Sequence, residues 1–471
     1  MEKVGILVVS YGSREAAMVD AFYRSKKYSP QIYVVDRQKN PFNIERAREH
    51  VVVPDLNVQK ICEFVKKHKE RIDIGIVGPE KPIIEGIRDI IEKETGIPMI
   101  CPTKKYAIEE SKVAQRYLFQ KVMPEVNPKF KVFDPNDYEN MDSVRKDVFK
   151  WLDELNDQVA VKPDKPAAGK GVGIWGDHFN TREQLFDHFL SNYRYGPVII
   201  EEKVDGEESS FQAFCDGEHL VPLPETRDYK RAFEGDGGPN TGGMGSYKDA
   251  GDWLPFMTQA DKQKEIEIAN KIFEALKGNA SNPGLRGIPL YLAFIHTKSG
   301  PKILENNSRP GDPEIQNILP ILKDDFVDVC FKMLEGNLTE IKLEKKATVV
   351  IYKVPPVYGG FKDAFPEKVN ADETKTPIGL NEAYNLAMKH ENGIRIYPGS
   401  MELRNDGKAY ALGSRALCVV GVGDDIDSAR RISLEGIKAI KGGSLWYRTD
   451  IASKEHIGKS VEHMKRLRDS A

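Results

Sequence analysis

The chain has 471 residues, which is too long for one ordinary core and enough for about two to four domains. Hydrophobic residues make up 40% and charged residues 30%, a globular balance that excludes a disordered or fibrous chain. A formal net charge of −3 gives no electrostatic reason to bind nucleic acid or an anionic membrane, and no apolar run reaches the roughly 18 residues that span a bilayer.

The first hundred residues alternate strand-like and helical runs. VGILVVS (4–10) reads as a buried first strand and not as a signal peptide. SREAAMVDAFYRS (13–25) reads as a helix capped by Ser13, and QIYVVD, VQKICEFVKKH, RIDIGIVGPE and PMICPT repeat the alternation. This order predicts an open, mostly parallel α/β sheet whose ligand edge carries Gly12, Ser13, Arg14, Asp36 and Glu80. From about Ile108 the texture changes. A helix (EESKVAQRYLF) leads into a proline-rich, charged stretch at 123–135, then strands QVAVKP and GVGIW around a glycine turn. After a helix at TREQLFDHFLSNY come strand VIIEEKV, longer strands, a glycine-rich loop at 234–246, a helix from Asp261 to Leu276 and the pair LYLAFIHTKSG and PKILENN. The helix KDDFVDVCFKMLEGN precedes antiparallel strands in ATVVIYKVPPVYG, GIRIYPGSMEL and RALCVVGVG, with DSARRISLEGIKAI as a helix packed on them. The expected domains are 1–107, 108–335 with a lid at about 125–200, and 336–471, the last a mixed antiparallel α+β unit. The five cysteines (62, 101, 215, 330, 418) are far apart and form no CxxC pair. They read as small buried apolar residues in a reducing cytoplasm, with neither disulfide framework nor zinc site.

Four stretches carry chemistry. In VKPDKPAAGKGVGIWGD (161–177), Asp164 and Gly171 stand where a P-loop needs glycine and Ser or Thr, and the chain runs strand–turn–strand. It is no P-loop. A glycine turn of this kind folds over a nucleotide, with Lys162 and Lys170 as fixed charge beside Gly169 and Gly171, although a plain surface hairpin would use the same glycines. In VIIEEKVDGEESSF, Glu201, Glu202, Glu207 and Glu208 sit at a strand end. One carboxylate there suits a ribose, and the backbone of Lys203 and Val204 suits an adenine edge; an acidic solvated turn is the plainer alternative. In KILENNSRPGDPEIQ, Glu305 and Asn307 share a strand face and offer hard oxygen ligands for magnesium, with Arg309 beyond them to grip a phosphate or carboxylate. EGDGGPNTGGMGSY (234–247) holds six glycines, and the preceding Arg227, Asp228, Lys230 and Arg231 mark it as an anion-binding loop.

In this order the motifs resemble the phosphoribosylamine–glycine ligase family, the glycinamide ribonucleotide synthetases of the ATP-grasp superfamily. Matching segments run from VVSYGSREAA through IGIVGPEKPIIEGI, PTKKYAIEESK, PNTGGMG and SRPGDPE to GSRALCVVGVGDDIDSARR and WYRTDIA. The resemblance implies an N-terminal pre-ATP-grasp domain, an ATP-grasp domain with a glycine-rich lid, and ATP with Mg2+ or Mn2+. It further implies joining of glycine to 5-phosphoribosylamine through a glycyl phosphate, in purine biosynthesis, by a cytoplasmic monomer or weak homo-oligomer binding neither nucleic acid nor membrane. By the resemblance Arg309, Lys230, Arg231 and Asp228 are catalytic. Lys162, Lys170, Gly169, Gly171, Glu201, Glu202, Val204 and Glu208 hold ATP, and Glu305 and Asn307 hold the metal. Gly12, Ser13, Arg14, Glu80, Asn240, Gly242, Gly243, Gly311 and Asp312 line the substrate sites. The family's first loop, three glycines and then Arg-Glu-His, reads Ser10, Gly12, Ser13 and then Arg14-Glu15-Ala16 here; Lys-Ala-Asp-Gly-Leu reads Lys162-Pro163-Asp164-Lys165-Pro166. A divergent ligase using another amino acid or amine, or a nucleotide-binding regulator without catalysis, are the alternatives.

Overall fold

A strand apolar on both faces needs cover on both faces, and the first strand has it. In the computed structural model, which describes residues 1–166, 171–390 and 393–470, β1 (Glu2–Ser10) centres a parallel sheet. Its partners are β2 (Tyr28–Asp36), β3 (Glu49–Val52), β4 (Ile74–Val77) and β5 (Met99–Ile100), in the order β3-β2-β1-β4-β5. Ile6, Leu7, Val8 and Val9 are wholly buried. At Gly5 a Cβ would lie 1.7 Å from the Arg71 carbonyl oxygen, so only glycine fits. Helices α1 (Ser13–Tyr23), α2 (Pro41–Arg46), α3 (Val58–His68), α4 (Glu80–Ile84) and α5 (Ile87–Thr95) cover the sheet. The expected Ser13 cap is corrected. Gly12 is the N-cap, and the Glu15 carboxylate accepts from the Gly12 N–H at 2.8 Å. The Ser13 hydroxyl instead meets the Tyr352 hydroxyl at 2.5 Å. α1 is apolar almost all round because it is sandwiched: Phe22 stacks near Phe326, with ring centroids 4.7 Å apart, and Asp20 accepts from Tyr397 at 3.0 Å.

After α6 (Lys112–Val122), β6 (Phe130–Phe133), β7 (Val159–Pro163), β8 (Gly173–Ile174) and β9 (Val198–Glu202) form an antiparallel sheet of order β6-β9-β7-β8. α7 (Met141–Glu154) and α8 (Arg182–Tyr193) close its core through Val148, Leu152, Phe186 and Phe189. β10 (Glu207–Asp216) and β11 (Leu220–Pro222) begin a third sheet, which the chain then leaves for β12 (Arg227–Asp228), β13 (Arg231–Phe233), β14 (Gly237–Asn240) and β15 (Gly245–Lys248). The stretch read as a glycine-rich loop thus contains two strands. Glycine there lets backbones approach: at Gly245 a Cβ would stand 2.5 Å from the Val350 carbonyl oxygen. α9 (Gln259–Lys277), β16 (Arg286–Gly287), β17 (Tyr291–Thr297) and β18 (Gly300–Asn307) complete the third sheet, ordered β11-β10-β17-β18 with β16 beside β10.

α10 (Ile315–Ile318) and α11 (Phe326–Glu335) lead to β19 (Ala347–Lys353). Then follow α12 (Phe361–Ala364), α13 (Asn381–Lys389), β20 (Ile394–Pro398), the small hairpin β21 (Met401–Leu403) and β22 (Ala409–Ala411), β23 (Leu417–Gly423), α14 (Ile426–Lys438) and α15 (Lys454–Asp469). The last large sheet, ordered β12-β15-β19-β23-β20, takes strands from both sides of position 336. Each of the five cysteines is buried and unpaired.

Beneath β10 lies a buried ionisable cluster. Glu225 accepts from Lys262 at 2.5 Å, while Glu265 on α9 accepts from Ser209 at 2.6 Å and lies 2.9 Å from His296 Nε2. One proton shared between the two carboxyls supplies the donor that their Oε2 atoms otherwise lack. Burial and the Glu265 charge push the Glu225 carboxyl up to about 8, burial pushes Glu265 up to about 7, and burial lowers His296 to about 4. The folded chain therefore keeps protons on the carboxyls that the unfolded chain has already lost, so stability falls as pH rises toward 8. His296 acts the opposite way only below its ordinary 6.5. Glu225→Gln preserves the hydrogen bonds without the titration. Melting temperatures taken from pH 6.5 to 8 should show the wild-type loss, about 1.4 kcal/mol per pH unit for one proton, flattened in the variant.

Candidate active site

The cleft between the second and third sheets is bridged by one buried carboxylate. Glu201, at the end of apolar β9, is 2% exposed. It pairs with the Lys162 ammonium from β7 and accepts from Arg116 of α6 at 2.8 Å. Arg116 also donates to the carbonyls of Ile303 (2.9 Å) and Leu304 (2.6 Å) on β18. The second of these carbonyls is open because β18 breaks register against β17 there. Burial alone would raise the Glu201 pKa; Arg116 and Lys162 more than reverse it and hold the carboxyl below its ordinary value. Burial lowers Lys162 in spite of Glu201. Glu201 thus has no oxygen left for a ribose hydroxyl, contrary to the reading of that strand end, and serves to fix Lys162.

The neighbouring carboxylates divide by face. Glu202 receives Lys302 at 2.9 Å; Glu207 turns to Arg227 (2.5 Å) and His463 (2.7 Å); Glu208 faces Lys230 at 2.5 Å and stays half-exposed. Glu208 is therefore the carboxylate of this run open to the cleft. The Lys203 N–H is taken by the Gln158 carbonyl at 2.8 Å, which leaves its carbonyl as the backbone group for an adenine edge. Val204 remains half-buried beside it. Gly171 adopts φ 84°, a left-handed conformation that suits glycine. Gly169 and Lys170 lie outside the described residues.

Glu305 and Asn307 share one face of β18, opposite Ala293 and Tyr291. Burial would raise Glu305, but Lys112, Lys230, Lys162 and Arg309 surround it and keep it ionised below its ordinary value. Three of these cations also carry an anion of their own, Glu201 on Lys162, Glu208 on Lys230, and Glu80 and Glu109 on Arg309, so the site interleaves both signs. Among the described residues no group of three or more His, Cys, Asp or Glu side chains is arranged to hold a metal. Two hard oxygens fit magnesium, which takes its remaining ligands from water and phosphate.

Arg309 comes within 3.5 Å of Glu80 and 3.4 Å of Glu109, and donates to Asn307 Oδ1 at 3.4 Å and the Pro310 carbonyl at 3.2 Å. Burial pushes Glu109 up, whereas at Glu80 Arg309 and Arg14 overcome burial and hold it down. Arg14 is itself buried, paired with Glu15 at 2.7 Å and donating to the Pro310 carbonyl at 2.9 Å, so it braces the wall. Gly78 makes room for that pair, since a Cβ there would overlap Glu15. Asp312 accepts from Tyr352 (2.6 Å), Gln316 (2.9 Å) and Arg415 (2.8 Å). Arg415 also donates to the Gly242 carbonyl at 2.7 Å, and the Gly242 N–H donates to Tyr358 at 2.9 Å. Gly311 donates to Gln212 at 2.7 Å. Gly243, at φ 110°, lies against Asp228, whose Oδ1 is buried without a partner. Burial and Glu314 push the Asp228 carboxyl well above its ordinary value; at Lys230 burial is outweighed by Glu208, Glu305 and Asp228, which raise it. Arg231 points elsewhere, to Asp177 at 2.8 Å and the Gly238 carbonyl at 3.0 Å, with Asn240 opposite it in register. That corrects its expected place among the reacting groups.

Sequence reasoning missed Lys112, Arg116, Glu109, Glu314 and Arg415. Lys112 and Arg116 look like ordinary charges of an amphipathic helix, and Arg415 precedes a strand that starts some hundred residues after the metal-site motif. Their spacing gives no local signal.

Three family models match in order: phosphoribosylglycinamide synthetase N domain over residues 4–110, its ATP-grasp (A) domain over 120–315 and its C domain over 364–454. The phosphoribosylamine–glycine ligase of Methanocella arvoryzae is 37% identical over 98% of this chain and 99% of its own. That of Thermococcus kodakarensis is 36% identical over 98% and 99%. Among solved structures, the phosphoribosylamine–glycine ligase of Thermotoga maritima superposes with a TM-score of 0.71 at 24% identity, covering 95% of this chain and all of that one. A biotin carboxylase domain from Hydrogenobacter thermophilus, solved with MgADP, shares the fold at a TM-score of 0.64 and 13% identity, covering 99% and 95% of the two chains. With the N, ATP-grasp and C domains matched in sequence order and full-length relatives above one third identical, the chain belongs to the phosphoribosylglycinamide synthetase family.

Proposed function

We propose that this chain joins glycine to 5-phosphoribosylamine, converting ATP to ADP and phosphate and yielding glycinamide ribonucleotide. The observation that carries the reading is the convergence of Lys112, Lys162, Lys230 and Arg309 on Glu305, donors suited to a polyphosphate and a substrate carboxylate. Full-length relatives of that name support the choice of substrates.

Glu305 and Asn307 would hold magnesium, which would supply charge neutralisation for phosphoryl transfer. Lys162, fixed by Glu201, and Lys230, fixed by Glu208, neutralise phosphate oxygens. Glu208 also faces the nucleotide's ribose, and Val204 its base. Arg309 presents its guanidinium to the glycine carboxylate, held in place by Glu109 and Asn307. A carboxylate oxygen of glycine attacks the γ-phosphorus and ADP leaves. The sugar amine nitrogen then attacks the acyl carbon of the glycyl phosphate; phosphate leaves and the nitrogen loses a proton. Asp228 accepts a hydrogen bond at its unpartnered Oδ1 and, with its carboxyl pushed up, suits the role of proton acceptor. Arg415 ties Asp312 to the Gly242 carbonyl and Tyr352 ties Asp312 to Ser13 of the first loop, a frame that suits a sugar phosphate between them.

The test follows ADP release with glycine and 5-phosphoribosylamine, alongside a panel of other amino acids and amines. Turnover with a different pair and none with this one overturns the substrate assignment. Glu305→Ala should lower turnover by about 10²–10³ in a protein that still folds by circular dichroism, and near-normal activity would remove Glu305 from the metal site. Asp228→Asn keeps the shape and loses the proton acceptor, so kcat should fall by about 10²–10⁴ while ATP affinity stays. A rise in the ATP dissociation constant with kcat unchanged would place Asp228 in nucleotide binding instead.

A further inference from the structure

Arg448 has no exposed surface at all, yet it lies far along the chain from every residue given a role above. A buried guanidinium is expensive unless its donors are matched, and here each of its three nitrogens has a partner. Nε and Nη2 donate to the two oxygens of Asp450 at 2.8 and 2.6 Å, Nη2 reaches Asp236 at 3.0 Å, and Nη1 donates to the Arg231 carbonyl at 2.9 Å. The guanidinium carbon stands 5.3 Å from the centre of the Tyr229 ring.

The first strand of the β13–β14 hairpin and its turn are therefore tied to one side chain, through Arg231 and Asp236. Neighbours of Arg448 strengthen the same attachment. Asp450 accepts from the Gly235 N–H at 2.9 Å, Glu234 accepts from the Thr449 hydroxyl at 2.6 Å, and His456 meets Asp236 at 2.6 Å. At the far side of the hairpin, Arg231 donates to Asp177 at 2.8 Å. Asp177 lies in the turn just after β8, on the sheet that carries Lys162.

We propose that Arg448 is a positioning residue: it fixes the turn of the β13–β14 hairpin so that Arg231 meets Asp177 and sets where the β7–β8 sheet rests against the cleft. The C-terminal segment thereby controls water exclusion from the acyl phosphate. The kinetic part rests on the proposed function; the contact itself does not.

Two readouts test it on the full-length protein. The first is amide hydrogen exchange over residues 172–180 and 234–240 with ADP and magnesium present. The second is the ratio of ribonucleotide formed to ADP released. Arg448→Met should raise exchange in both segments and lower the ratio by about ten-fold, the scale of a misplaced positioning group. Arg448→Lys, which keeps the charge and loses the fork, should fall between. Asp177→Asn, on the exposed turn, should raise exchange over 172–180 alone and lower the ratio with the ATP KM unchanged. It keeps the test open where Arg448→Met does not fold. Unchanged 172–180 exchange in Asp177→Asn, or a lower melting temperature in Arg448→Met with 172–180 exchange and product ratio unaltered, overturns the proposal. A wild type without turnover on this pair overturns the substrate reading, and the exchange data still decide the contact.

Discussion

Everything in the cleft depends on Glu201 being ionised in a place where a carboxylate should not be. Its burial is offset only because two cations reach it from different elements, Lys162 from β7 and Arg116 from α6. Two positive charges on one negative leave a surplus, which faces the same space as Glu305. Removing either cation would leave an uncompensated buried charge, at a cost of about 3–5 kcal/mol. Arg116 also spends its remaining donors on the Ile303 and Leu304 carbonyls. One guanidinium therefore holds the phosphate-side sheet and the metal-side strand in fixed relation, and the distance between Lys162 and Glu305 follows from it.

A second constraint concerns assembly. β12 and β15 leave the third sheet to join β19, so the glycine-rich segment is anchored in the C-terminal sheet at one end and in the cleft at the other. Arg415, immediately before β23, then touches Gly242 and Asp312, and Tyr352 on β19 reaches Asp312 and Ser13. Tyr352 thus links the start of α1 to Asp312, the carboxylate that Arg415 ties to the glycine-rich segment. Here the altered first loop has a use: Ser13 supplies a hydroxyl that a glycine would lack, and its partner is Tyr352 and not a ligand.

The sequence disclosed what depends on local periodicity. Parallel α/β alternation, the β17–β18 pair with Glu305 and Asn307 on one face, and buried cysteines all follow from spacing or apolar patterning, and the structure has them. It hid what depends on long-range pairing. β6 lies in a stretch read only as proline-rich and charged because its pairing with β9 is supplied from about seventy residues away. Arg231 stands in a motif full of cations, and nothing in its neighbourhood says that its partner is Asp177. Glu201 and Glu202 look alike in sequence, yet alternation sends one into the core and the other to Lys302.

The approach to the glycine turn shows the same logic. Pro163, Lys165 and Pro166 depart from the family pattern around a matching Asp164, and the structure gives Asp164 a definite task. It accepts from the Ser111 hydroxyl at 2.6 Å and the Val113 N–H at 3.0 Å, while its carbonyl accepts from the Lys112 N–H at 3.0 Å. Lys165 pairs with Glu110 at 3.2 Å. The strand carrying Lys162 is therefore pinned to the start of α6, which carries Lys112 and Arg116. Proline on either side of Asp164 reduces the backbone freedom of that junction. Lys162 is thereby held in a fixed place relative to Lys112 and Arg116, the cations that α6 brings to the same cleft.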